Sequence, residues 1–111
     1  MWLEFGFDKT QHSYMNSGII NLLYVRTLKW SMSIINDDDY PTPILSVSIE
    51  LIYSDSGCDI VYQYYEPFRS SKLNPVLPQI CQIVYYQLKL AILTGTDWNT
   101  PGSLNYIKCY K

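Results

Sequence analysis

The sequence predicts an α+β fold: a single domain spanning residues 1–111, with an antiparallel sheet of about five or six strands and one long C-terminal helix packed on one face. Three observations carry that prediction. Apolar and polar residues alternate through the middle of LKWSMSII and ILSVSIELIY, the period of a strand with two unlike faces. Only PQICQIVYYQLKLAILTG shows a sustained helical period. Between the alternating runs stand turn sequences, NDDDYPTP and SDSG, of the kind that join neighbouring antiparallel strands. A chain of 111 residues suits one domain and can build a core without metal or disulfide support. With 48% apolar and 16% charged residues, it is too apolar and too weakly charged for a disordered chain.

Taken in order, MWLEFGF sets Leu3, Phe5 and Phe7 against Trp2, Glu4 and Gly6, a short strand. DKTQHSYMNSG reads as a loop. IINLLYVRT satisfies either period, and its β-branched and aromatic content favours strand. In LKWSMSII, Leu28, Trp30, Met32 and Ile34 face one way and Lys29, Ser31 and Ser33 the other. Three acids and two prolines then end the strand. In ILSVSIELIY, Leu45, Val47, Ile49, Leu51 and Tyr53 point inward. A four-residue loop, Ser54 to Gly57, returns the chain into CDIVYQYYE and sets Tyr53 opposite Cys58. That register places Ile49 across from Tyr62 and Val47 across from Tyr64 on a greasy face. Ser48 with Gln63, Ser46 with Tyr65 and Glu50 with Val61 form a polar, wetted one. The helix is expected from Pro78 to Thr94, with a proline in its first turn and Gly95 just past its end. Ile80, Val84, Leu88 and Ala91 form its core stripe, with Ile83 and Ile92 beside it. TDWNTPGS is a turn region, and LNYIKCYK a final strand.

The net charge of −2 conceals an asymmetry. From Trp30 to Phe68 the chain carries seven acids and no base, −7, whereas the remainder carries eight bases and three acids, +5. Such a division makes a dipolar surface. Eleven tyrosines accompany it, side chains that cover apolar area while keeping a hydroxyl for a partner.

Catalytic and metal patterns are thin. His12 is the only histidine, so any Ser–His or Cys–His arrangement would have to use it, and it sits in a polar loop. Cys58, Cys81 and Cys109 have no CxxC spacing, an odd set that argues for a reduced, cytoplasmic setting. The run Asp37, Asp38, Asp39 lacks the fixed steps of a calcium loop, so no metal and no cofactor are expected. Glu50 and Asp59, read as neighbours on the polar face, are the one carboxylate pair worth weighing for hydrolysis. Dispersed bases argue against direct nucleic-acid binding; Arg69, Lys72, Lys108 and Lys111 would form only a weak basic pole. The N-terminus lacks a signal peptide's basic region, and no apolar run is long enough to span a membrane.

The expected function is therefore recognition of another protein without catalysis. Asp37, Asp38, Asp39, Tyr40, Glu50, Asp55, Asp59, Tyr65 and Glu66 are expected to form an acidic, tyrosine-rich surface that meets a basic protein. A basic active site, such as that of a nuclease or toxin, is the natural target of a small inhibitor of the immunity-protein, antitoxin or anti-defence type. The alternatives are a small-ligand-binding domain with Trp30, Tyr62 and Tyr64 lining a pocket, and a structural subunit of a larger assembly. An exposed edge strand at either terminus is also able to pair two copies into a homodimer.

Overall fold

The computed structural model describes residues 1–8, 15–36, 38–39, 41–68, 76–100 and 105–111. The fold is α+β, but the seven strands form two antiparallel sheets rather than a single sheet of five or six. The first sheet comprises β1 (Trp2–Asp8), β2 (Met15–Asn21), β6 (Trp98–Asn99) and β7 (Tyr106–Tyr110), in the order β2-β1-β7-β6. The second comprises β3 (Val25–Ile35), β4 (Ile44–Tyr53) and β5 (Cys58–Pro67), in chain order. Helix α1 (Val76–Thr94) packs against the whole second sheet and touches β7 of the first.

The division arises in the ambiguous segment 19–27. It is neither one strand nor a helix: β2 runs to Asn21, a single 3-10 turn occupies Leu22–Tyr24, and β3 begins at Val25. The Asn21 side chain accepts the Leu23 N–H at 3.0 Å and fixes this exit from the first sheet. Met15–Gly18, expected in a loop, instead extends β2. Gly18 lies opposite Phe5, and a Cβ there would stand 3.1 Å from the Phe5 ring. The missing side chain is what lets β2 lie beside that ring.

The β4–β5 hairpin holds its register by two compensating features. The loop contains three residues, Ser54 to Ser56, because the Tyr53 N–H bonds the Gly57 carbonyl at 2.7 Å. Ser56 takes the left-handed conformation (φ 73°) that closes such a loop. This puts Cys58 opposite Ile52 and Ile60 opposite Glu50, one residue away from the expected pairing. Left alone, the slip would turn every later β5 side chain onto the wrong face. A bulge between Ile60 and Tyr62 absorbs Val61 as the extra residue. Beyond it the expected pairs appear: Ile49 with Tyr62, Ser48 with Gln63, Val47 with Tyr64 and Ser46 with Tyr65.

One core unites the layers. Leu3, Phe5 and Phe7 enter from β1, Val47, Ile49 and Leu51 from β4, Ile107 and Cys109 from β7, and Cys81 and Leu88 from α1. Three residues of the expected stripe, Val84, Leu88 and Ala91, are buried, but Cys81 takes the place expected of Ile80, which is exposed together with Ile83. Its C-terminus closes with Gly95 at φ 66° and a Thr96 N–H to Ala91 carbonyl bond of 3.1 Å, a Schellman ending. The face expected to be wetted is closed at its centre. Ser46, Ser48 and Gln63 are buried, tied by Ser31 Oγ to Ser48 Oγ (3.1 Å) and Gln63 Nε2 to Ser46 Oγ (3.4 Å).

Two stability measurements test this account. Ser56→Gly removes the cost of a left-handed Cβ and should raise the urea-unfolding free energy by about 0.5–1 kcal/mol. Leu88→Ala opens a cavity where helix meets core and should lower it by about 2–5 kcal/mol.

Candidate protein-binding end of the second sheet

The second sheet has two ends, and the predicted site residues divide between them. One end carries the β4–β5 turn, with Glu50, Asp55 and Asp59. The other carries the β3–β4 connection, with Asp38 and Asp39, together with Tyr65 and Glu66 on β5. Nine residue steps of β4 separate them, about 30 Å. Asp37 and Tyr40 lie outside the described residues, as does His12. The seven described positions therefore divide between the two ends of the sheet.

At the turn end the acids are further divided by the pleat. Glu50 shares a face with Cys58, whereas Asp59 lies on the opposite face with Tyr53 and accepts its hydroxyl hydrogen bond at 2.5 Å. Glu50 and Asp59 thus do not form the carboxylate pair that their positions suggested; the shorter loop puts them on different faces. Burial is the first cause, and the bond to Asp59 the second, of the strong upward shift that keeps the Tyr53 phenol protonated. The Cys58 thiol is also raised, first by its hydrogen bond with Glu50 and then by that group's charge. Two bases return to this end through the fold. Lys29 on β3 pairs directly with Glu50, and Arg26 lies at the bulge where β3 begins. The −7 span of the sequence is therefore not a −7 surface.

The connection end is different. Ile35, Ile44 and Pro67 align in register, as do Ile34, Leu45 and Glu66, and the Phe68 N–H bonds the Pro43 carbonyl at 2.8 Å. This brings exposed Ile34, Ile35, Tyr65 and Phe68 to the same end as exposed Asp38 and Asp39. The strands bring no Lys or Arg here: β3 beyond Lys29, the whole of β4 and the whole of β5 contain none. Tyr65 lies on the outer face beside buried Gln63. Burial raises its phenol, and a hydrogen bond from Gln63 opposes that rise. Apolar anchors beside carboxylates are the raw material of a protein interface. The alternation had assigned Ile34 and Met32 to the core; as part of an outer strand both stay half exposed.

The remaining candidates fall elsewhere. Tyr62 is buried and meets Tyr64 edge-to-face, with ring centroids 5.4 Å apart, and both rings and Trp30 belong to the core assembly. Cys81 sits in the same layer, where burial pushes its thiol up to about 12 against the opposing effect of the Trp30 indole. An open groove of about 400 Å³ lies instead on the first sheet, lined by Asp97, Trp98, Asn99, Lys108, Cys109 and Tyr110. Lys108 is drawn to Glu4 across β1–β7 at 4.0 Å, a surface pair of modest strength. Among the described residues no three His, Cys, Asp or Glu side chains gather as metal ligands, and no helix is long and apolar enough to cross a membrane. No family model, curated protein or solved structure matches the chain.

The Glu50–Cys58 contact has a direct chemical readout. Glu50→Gln should move the pH midpoint of Cys58 alkylation by iodoacetamide downward. An unchanged profile would show that the carboxylate does not govern the thiol.

Proposed function

We propose that this domain is a small protein-binding inhibitor that occludes a basic partner with the connection end of its second sheet. The observation that carries the reading is the juxtaposition of Asp38, Asp39 and Glu66 with exposed Ile34, Ile35, Tyr65 and Phe68 where the strands supply no positive charge. Carboxylates draw a cationic surface in from a distance, and the apolar side chains give the contact its residence time. A nuclease or toxin with a basic active site is the chemical class of target; an immunity protein, antitoxin or anti-defence factor is the corresponding role, exercised in the cytoplasm. Asp37 and Tyr40 belong to the same connection in the sequence but lie outside the described residues. Glu50 and Asp59, six and seven residue steps of β4 from Ile44 (about 20 Å), and Asp55, about 30 Å away beyond the end of β4, are assigned a lesser part in long-range attraction.

A second reading, a constitutive subunit of a larger assembly, is favoured by the outer side of α1. There Ile83, Tyr86, Leu90 and Leu93 are all more than half exposed, and Lys89 is the only charged residue of the helix.

Affinity capture from host extract, followed by kinetics with the captured protein, separates the two. The inhibitor reading expects a stoichiometric complex whose association rate falls steeply with salt. Combined Asp38→Lys, Asp39→Lys and Glu66→Lys changes should slow association at low salt by about 10- to 100-fold. A complex indifferent to those reversals but lost in Leu90→Lys would overturn it in favour of the assembly subunit.

A further inference from the structure

We propose that the outer edge of β3 pairs antiparallel with β3 of a second copy, joining two second sheets into one six-stranded sheet about a two-fold axis near Met32. The proposal takes in Ile34, Ile35 and Asp38, which the partner-binding reading also uses, but its test needs only this chain.

The two edges of the second sheet are treated differently by the fold. The β5 edge is covered: β1 runs close beside it, and Asn105 Nδ2 donates to the Gln63 carbonyl at 2.9 Å. The β3 edge has no neighbour among the described residues, although β3 is the longest strand, at 11 residues. Its final residues are open on both faces of the sheet: Met32, Ser33, Ile34 and Ile35 are all exposed, with Met32 at 52% and Ile34 at 50%. Unpaired edges are ordinarily protected by charge, proline or shortness. From Trp30 to Ile35 this one has none of these.

The pattern of the strand says what covers it. WSMSI reads almost the same in both directions. Antiparallel pairing centred on Met32 sets Trp30 against Ile34 on the helix-bearing face and Ser31 against Ser33 on the other, so like meets like throughout. Lys29 then falls opposite Ile35, with no clash of like charges. The same operation carries the basic start of β3, Arg26 and Lys29, to the partner's end where Asp38 lies, and it does so twice. A two-fold axis normal to the sheet keeps both copies of α1 on one side. Met32 and Ile34, half exposed in the single chain, then line the trough between the two helices.

Sedimentation equilibrium of the purified chain tests this without any other protein. Wild type is expected at twice 13.0 kDa, and Met32→Lys, which sets two ammonium groups face to face, at the single mass with an unchanged circular dichroism spectrum. Arg26→Asp should weaken the dimer and Arg26→Asp/Asp38→Arg restore it. In a Cys58→Ser background, Met32→Cys should form an intermolecular disulfide under mild oxidation. A wild-type monomer overturns the proposal. So does a dimer that persists in Met32→Lys, fails to cross-link at position 32, or is lost only on Leu90→Lys.

Discussion

The second sheet depends on a one-residue correction. A three-residue loop and a bulge at Val61 each displace β5 by one position, and only together do they leave Tyr62 and Tyr64 facing the helix. Loop alone would turn Gln63 toward the helix and Tyr62 away, because side chains alternate with a period of two. A buried carboxamide in place of a buried phenyl ring would cost several kcal/mol unless fully hydrogen-bonded. The hydrophobic demand of the core is thus what holds the bulge in place. The bulge in turn permits a tight turn whose tip carries Asp55, with Asp59 and Glu50 on opposite faces behind it.

The same demand explains what could be read from the residues alone. The inner pairs Ile49–Tyr62 and Val47–Tyr64 were legible because both strands alternate cleanly and a wrong register would bury polar groups. The loop length was not legible, since SDSG serves a three- or four-residue loop equally and the discriminating element, the bulge, has no sequence mark. The two-sheet division was hidden for a related reason. Leu22–Tyr24 is apolar enough to pass as strand, and only Asn21 hints at the turn that ends β2. The helix was placed correctly, starting two residues earlier than its proline suggested. Its buried stripe was legible at Val84, Leu88 and Ala91, but the burial of Cys81 in place of Ile80 was not, because both are apolar neighbours at the edge of that stripe.

The charge distribution shows how far a one-dimensional count can mislead. Lys29 stands one residue before the acidic span begins, yet β3–β4 pairing sets it directly against Glu50, inside that span. Glu50 is therefore faced by a base that antiparallel pairing returns to it. At the connection end pairing returns none, since the bases of β3 all lie in its first half. Of the seven described positions among those singled out from the sequence, Asp38, Asp39, Tyr65 and Glu66 lie at this end beside apolar side chains and Glu50, Asp55 and Asp59 toward the other, and at both ends the pleat sets neighbouring strand residues on opposite faces. The exposed Ile34 and Phe68 carried no signal at all, because an alternating strand does not announce that it will lie at an edge.

Buried serines show where the outer face departs from simple amphipathicity. Ser31, Ser46 and Ser48 occupy positions that an antiparallel sheet with one wet side would leave in water, yet Ser46 and Ser48 are almost fully enclosed. Short hydroxyl side chains permit this, because Ser31 satisfies Ser48 and Gln63 satisfies Ser46 across the strands. The hydroxyl row makes β4 a central strand closed on both faces, with a greasy side under the helix and a hydrogen-bonded side opposite. Exposure is then forced outward to the strand that lacks such cover. Residues 32–35 of β3 meet solvent on both faces, so the apolar area that the sheet cannot hide is concentrated along one edge and at one end. The proposed recognition surfaces draw on that concentration, since the centre of the sheet is closed on both faces.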